Sequence, residues 1–358
     1  MGPVVTEEAL RADVLRPSAL GAAELAAWRQ MQMRSASLRR AFLSPTFAQA
    51  CERAHGRAYV AVLHQGGGIR GFFPFQFRSA WHERLRLAER IGGDLSDAAG
   101  VIAGDDLRLS SASLMRLCDL GSLVITHLIE NQMRFGLDAA LWNVGHLIEI
   151  GRASNAYFTA LTERNRTFVR DTERRLRRAE KSFGALDLVR LQQIPSPMIA
   201  GLVELKRRQY QRTHMPNALA ADRHVRLLAA MNEVSAPDCH LVMNRLEAGG
   251  RVLAQHLGPQ HYDVLSYWFP VYDPEARDVS PGRLLLWLTI QRAEEYGIAL
   301  IDRGEGDTPH KRELATGTRR YGRATWSGRA ARSLPARAWQ SLEWRLQTWH
   351  RRAQRRFA

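Results

Sequence analysis

RDVSPGRLLLWLTIQRAEEYGIALIDRGEGDTPHK, the stretch from Arg277 to Lys311, decides how the rest of the chain is read. Tyr272-Asp273-Pro274 closes a strand just before it, and Ser280, Pro281 and Gly282 then open a helix. Serine is a favoured N-cap, and proline fits the first helical position. Leu284, Leu285, Leu288, Ala293 and Tyr296 recur at helical spacing, and Gly297 stops the helix. Ile298 to Ile301 predict a short buried strand running into Asp302 and the polar turn Gly304-Glu305-Gly306-Asp307. A helix opening on Ser-Pro-Gly presents unpaired N–H groups and the positive end of its dipole, which suits a phosphate or diphosphate. The same three residues also make an ordinary helix start.

Arg277-x-x-Ser280-x-Gly282 resembles the Gln/Arg-x-x-Gly-x-Gly/Ala diphosphate loop of GNAT acyltransferases, with serine in place of the first glycine. The wider pattern is Tyr272-Asp273, Ser280-Pro281-Gly282, Asp302-x-Gly304-x-Gly306-Asp307 and Lys311. It is similar to the CelD-like branch of GNAT proteins, named for cellulose biosynthesis. That branch usually has Phe after the aspartate and Tyr before the lysine, where this chain has Arg303 and His310. The resemblance implies that coenzyme A seats at the start of the central helix, on Arg277, Ser280, Gly282 and Arg283. It implies acyl-CoA as donor substrate, with no tightly bound cofactor. GNAT folds also splay two strands apart to grip the acyl-pantetheine arm. Carried over, that grip falls on Ser266 to Val271, with Tyr267, Phe269 and Val271 along it.

Outward from this stretch the chain reads as an α/β fold of mixed, mostly antiparallel sheets flanked by helices. Toward the N-terminus, Tyr262 to Val271 is a strand, and Cys239 to Glu247 with Arg251 to Gly258 make a hairpin turned by Gly249-Gly250. Ser196 to Arg212 and Arg223 to Val234 are helices, and Asp187 to Leu191 is a strand. Ser154 to Phe183 predicts one long arginine-rich helix stopped by Gly184, which connects the halves. The earlier part has helices around Glu24 to Met33 and Pro45 to Ala54. A hairpin of Arg57 to His64 with Ile69 to Phe77 follows, turned by Gly66 to Gly68. The same order thus occurs twice, as in the tandem FemABX transferases. The expected domains are an N-terminal GNAT-like acceptor side over 1–152, a basic linker helix over 153–184, a donor-binding GNAT domain over 185–330, and a basic amphipathic helix over 331–358. In that last segment Trp339, Leu342, Leu346, Trp349 and Ala353 share a stripe that packs on the domain or lies on an anionic membrane.

Bulk properties narrow the class. With 358 residues, 45% of them hydrophobic and 24% charged, the chain is globular and long enough for two domains. Cys51, Cys118 and Cys239 lie far apart with no metal-type spacing and read as free thiols in a reducing compartment, with no disulfide framework. No stretch has the roughly 18 uninterrupted apolar residues of a membrane span. The early residues lack the apolar core of a signal peptide, so a cytoplasmic location is expected. Net charge is +15, and from Arg319 to Ala358 eleven arginines face one acid, Glu343. Such a run is a solvated face or attracts a polyanion such as tRNA or an acyl carrier protein.

Acyl transfer to an amine needs a bound donor, an oxyanion stabiliser, a base and a proton for the departing thiolate. His256 is the candidate base if it titrates near neutrality. Asp302 and Glu305 stand where a strand ends beside the donor. Asp302 is read as catalytic, as a turn cap, or as the partner of Lys311, the family lysine. His310 is a candidate proton donor, and Asp97, after Leu95-Ser96, a candidate acceptor-side residue or a turn cap. No nucleophile elbow, metal-ligand cluster or Walker loop is present. The expected activity is therefore direct acyl-CoA-dependent N-acyl transfer, with O-transfer open, in a ternary complex. The acceptor would be a sugar, a polysaccharide precursor or a small metabolite. Alternatives are a transferase using aminoacyl-tRNA or an acyl carrier protein, and a non-catalytic envelope-assembly module.

Overall fold

A computed structural model describes residues 10–328. The amphipathic segment expected over 331–358, and the membrane contact attached to it, lie outside the described residues. In chain order the elements are β1 (Arg11–Leu15), α1 (Ala22–Arg34), α2 (Pro45–His55), β2 (Ala58–Gln65), β3 (Gly68–Gln76), α3 (Ala80–Arg84), β4 (Leu87–Arg90), β5 (Ile102–Ala103), α4 (Ser111–Leu117), β6 (Ser122–Ile129) and β7 (Leu141–Glu149). There follow α5 (Ser154–Arg164), α6 (Arg166–Phe183), β8 (Leu186–Leu191), α7 (Ser196–Arg212), α8 (Asp222–Glu233), β9 (His240–Ala248) and β10 (Arg251–His261). The last are β11 (Val264–Ser266), β12 (Val271–Tyr272), α9 (Pro281–Gln291), β13 (Leu300–Glu305), α10 (Pro309–Leu314) and β14 (Gly317–Ser327).

One order of elements occurs twice: strand, two helices, antiparallel hairpin, third strand, helix, and a strand parallel to the third. It is filled first by β1, α1, α2, β2, β3, β4, α4 and β6, and again by β8, α7, α8, β9, β10, β11, α9 and β13. The expected fold class, mixed α/β with helices flanking mixed sheets, is the observed one.

Packing divides the chain into two compact units. Among the described residues the first comprises 10–38, 55–142 and 321–328, and the second comprises Arg39–Ala54 and Asn143–Arg320. The first unit holds β1, β2, β3, β4, β6 and the later part of β14 side by side, with β4 and β6 parallel and the other neighbours antiparallel. Its core is the inward face of β2, β3 and β6, where Phe73, Phe75, Leu123 and Ile125 pack with Leu114 of α4. Period-two alternation along the strands drives those side chains to one face.

The second unit orders β7, β13, β11, β10, β9 and β8, with β11 and β13 as its parallel pair. Leu286, Trp287 and Ile290 of α9 are buried against Ile301 of β13, Leu265 of β11 and Phe168 of α6. Leu284 and Leu285 bury on the next part of the sheet with Leu246 and Leu253. Each such side chain contributes about 1.5–3 kcal/mol by leaving water, so α9 is fixed to the sheet by its whole apolar face.

Four expectations change. The long helix over Ser154 to Phe183 is two helices: Asn165, at φ −149° and ψ 65°, breaks it, and its side chain accepts from the Phe168 N–H at 3.2 Å to cap α6. The strand over Tyr262 to Val271 is interrupted between Ser266 and Val271. Helix α9 ends at Gln291, and turns carry the chain to Gly297 at φ +61°. Strand β13 runs on through Asp302 to Glu305, because it pairs with β7 as far as Glu305 and Gly145 across a bulge at Arg303-Gly304.

Candidate active site

Two features of the second unit leave backbone amides open. The first is a fork between strands. β11 and β13 run parallel through Val264–Leu300, Leu265–Ile301 and Ser266–Asp302. The Tyr267 N–H still donates to the Asp302 carbonyl at 2.8 Å. Beyond that point the strands part. β13 stays with β7, while the other chain leaves through Tyr267 to Pro270 and returns to β10 at Gln255–Val271. Trp268 and Phe269 are buried, Phe269 at φ +26°, and neither N–H donates to a group of the described residues. Buried orphan donors cost about 1–3 kcal/mol each, so this segment keeps two amides ready for a ligand. Gly258 of β10 makes the segment possible: a Cβ there would stand 2.1 Å from the Ser266 carbonyl oxygen and 3.1 Å from the Trp268 nitrogen.

The second feature is the start of α9. Ser280 is left-handed, at φ +55° and ψ +57°, which is the physical reason glycine is usual at this place. Its N–H turns back to the Arg277 carbonyl, and its own carbonyl accepts from Arg283 and Leu284. Pro281 has no N–H, so the Gly282 amide alone is left open, and no atom lies within 4 Å of where a Gly282 Cβ would sit. Arg175 of α6 donates to the Ser280 Oγ at 2.9 Å and to the Asp278 carbonyl at 3.2 Å. Asp171 accepts from Arg175 at 2.9 Å and from Arg283 at 3.0 Å. The Arg175 bond, more than the other charges, holds the Asp171 carboxyl below its ordinary range. Arg283 also lies 4.6 Å over the Phe168 ring. Arg277 projects into solvent, its nearest carboxylate that of Asp278 at 3.8 Å.

The acids and bases named from the sequence take other roles. Asp302 is buried beside the fork. It accepts from the Gly304 N–H at 2.9 Å, the turn-capping alternative, and pairs with Arg319 at 2.8 Å and Arg40 at 3.6 Å. The Lys311 Nζ donates to the carbonyls of Arg303, Gly304 and Glu305 at 2.6, 3.1 and 2.9 Å. An ammonium satisfied by three carbonyls fixes the bulged end of β13. Glu305 accepts from Asn143 at 2.6 Å. His310 is exposed, with Glu313 3.9 Å away. Asp97 lies in the first unit, its carboxylate 3.7 Å from His127.

His256 does not titrate near neutrality. It is wholly buried, stacked 4.4 Å from the Tyr267 ring, with both ring nitrogens unpartnered, and burial pushes its pKa down to about 3. A neutral imidazole of that basicity accepts a hydrogen bond but does not hold an amine's proton. His261, also buried, is pushed down to about 4 by the same cause. Both stay neutral in the fold and protonate near pH 6.5 when unfolded. Stability should therefore fall as pH drops through 6.5 and level off only below the folded values. His256→Met is expected to move the acid-unfolding midpoint to lower pH; an unchanged midpoint by circular dichroism would show that water reaches the ring.

Sequence reading missed several residues that tertiary packing brings in: Asp171 and Arg175 from α6, Arg40 ahead of α2, Arg319 of β14, and His146 and Arg312 beside the motif residue Asp307. His146 Nε2 lies 2.9 Å from Asp307, which Arg312 grips with two bonds and holds far below the usual carboxylate range. Lys206 of α7 is buried with its Nζ 2.8 Å from the Pro270 carbonyl, and desolvation lowers its pKa to about 8.

Residues 170–312 match the Acetyltransferase (GNAT) domain. The matched span holds Asp171, Arg175, the fork, the α9 start and Lys311, and with the GNAT domain comes the class of activity, an acyltransferase. No curated protein matches the sequence. Among solved structures, a conserved protein of unknown function from Bacteroides thetaiotaomicron is 11% identical, with 85% of this chain and 98% of that one covered at a TM-score of 0.52. FemX is 12% identical, with 77% and 89% covered at 0.50. A tandem GNAT protein from the clavulanic acid biosynthesis pathway is 13% identical, with 88% and 98% covered at 0.48. At the identities of the first two the likeness concerns the fold alone. No helix among the described residues is long and apolar enough to cross a membrane.

Proposed function

We propose that the GNAT domain transfers an acyl group from acyl-CoA to an amine, or a hydroxyl, of a sugar, polysaccharide precursor or small metabolite. The proposal includes the CelD-like branch and a cytoplasmic site of action. The observation that carries it is the fork: buried Trp268 and Phe269 keep undonated N–H groups where a parallel strand pair opens. In this reading the pantetheine arm lies along Ser266 to Val271 and its phosphates reach the Gly282 amide, with Arg283 and Arg277 beside it. The acceptor nitrogen attacks the thioester carbonyl, and the oxyanion is held by a fork N–H. The C–S bond then breaks, the amine gives up a proton to solvent, and the departing thiolate takes one up. His256, neutral and stacked on Tyr267, shapes the wall of the arm's channel, and Asp302 with its two arginines fixes the mouth of the fork.

Acetyl-CoA is expected to raise the melting temperature, and free thiol should appear when a suitable amine is supplied. Gly282→Ala separates site from scaffold. Its methyl has open space, and alanine is favoured over glycine in a helix by about 1 kcal/mol, so the fold should hold or gain stability. The methyl would crowd the open amide, so acetyl-CoA affinity should drop about tenfold or more. If wild-type protein binds no acyl-CoA by calorimetry, the proposal fails.

A further inference from the structure

The solvent face of α6 is a row of cations. Seven basic residues (Arg166, Arg170, Arg174, Arg175, Arg177, Arg178 and Lys181) stand against Asp171, Glu173 and Glu180 in this helix. At about 100° per residue, Arg166, Arg177, Arg170, Lys181, Arg174 and Arg178 fall within a sector of about 120° that contains no acid. All six are exposed. Arg166 to Lys181 spans about 22 Å at 1.5 Å per residue. Among the described residues the only ion pair made by these six is that of Arg174 with Asp171. Five like charges without partners along one face repel one another and cost stability unless a polyanion covers them.

The row is continuous with the proposed donor site. Asp171 ties Arg174 and Arg175 to Arg283, and Arg175 reaches the Ser280 Oγ. The helix start itself offers one open amide, that of Gly282. The charge row is longer than a nucleotide needs. We propose that α6 is a docking surface for an acidic carrier protein that presents the acyl group on a phosphopantetheine arm. The arm's one phosphate meets the Gly282 amide, and carboxylates of the carrier lie along Arg166, Arg170, Arg177, Arg178 and Lys181. This rests on the reading of the fork as a pantetheine channel and adds the partner that delivers the thioester. The chemistry is unchanged: the acyl C–S bond breaks, the new C–N bond forms, and the carrier leaves with its arm as a free thiol.

The test uses the full chain and, as probe, an acetylated acyl carrier protein, with acetyl-CoA titrated in parallel. Wild-type protein is expected to bind the carrier in a salt-sensitive way. The triple variant Arg166→Glu, Arg170→Glu, Arg177→Glu changes exposed residues and keeps Asp171 and Arg175, which carry the bonds from α6 to the α9 start. It should weaken carrier binding by about 20-fold or more while leaving acetyl-CoA affinity within about twofold. Equal carrier binding by wild type and triple variant overturns the inference. So does a wild type that binds a bulk tRNA or phosphatidylglycerol vesicles through these arginines and ignores the carrier. Acetyl-CoA binding without carrier binding removes the docking surface alone; loss of both removes the pantetheine reading as well.

Discussion

Gly258→Ala is expected to be among the most damaging single-methyl changes in the second unit. The added carbon would stand 2.1 Å from the Ser266 carbonyl oxygen, a backbone atom held by pairing of β11 to both β10 and β13. That oxygen cannot swing aside as a flexible side chain would. Either the β11 end shifts and closes the fork, or β10 loses its register with β9 at Gly258–Val242. Overpacking of this kind costs about 1–3 kcal/mol, and backbone on both sides puts this case at the upper end. Urea unfolding should show the loss, and acetyl-CoA binding should weaken beyond what the fraction folded explains. A variant as stable as wild type would mean that Ser266 and Trp268 do not press on β10.

Asp302→Asn should cost as much for an electrostatic reason. The Arg40 and Arg319 side chains retain only 4% and 12% exposure, and the Asp302 carboxylate lies between them. Asparagine keeps the size and caps Gly304 through its oxygen, but it takes the carboxylate charge away from two nearly buried guanidinium groups. Removing one member of a buried ionic group costs about 3–5 kcal/mol, because the remaining charges stay desolvated. A loss below about 1 kcal/mol would place these arginines in the solvated regime. Replacing Asp302 and Arg319 together, by Asn and Met, should recover part of the stability; if it recovers none, the counter-charge argument is wrong.

Local rules reached far along this chain. The β2–β3 and β9–β10 hairpins lie within a few residues of their expected positions, since Gly66-Gly67 and Gly249-Gly250 adopt the positive φ their turns require. Helix α7 has the expected bounds, and Gly184 at φ +98° ends α6. Local rules failed where a neighbour intervened. Asn165 looks like any polar helix residue until its side chain caps α6. The run Tyr262 to Val271 has the pattern of one strand, and it breaks because Gly258 lets the segment after Ser266 bulge across β10.

The sequence by itself determined the element order, the two-fold repetition of that order, the helix start at Ser280, and the aspartate, glycines and lysine around the end of β13. Each depends on short-range conformational preference or on hydrophobic period, which neighbouring residues carry. Only the tertiary structure decided what the polar groups do. Asp302 meets arginines 17 and more than 200 positions away, Lys311 holds carbonyls, His256 is neutral, and α6 reaches the α9 start through Asp171 and Arg175. Charge, basicity and hydrogen bonding depend on burial and on partners distant in sequence, and those are fixed only once the chain has folded.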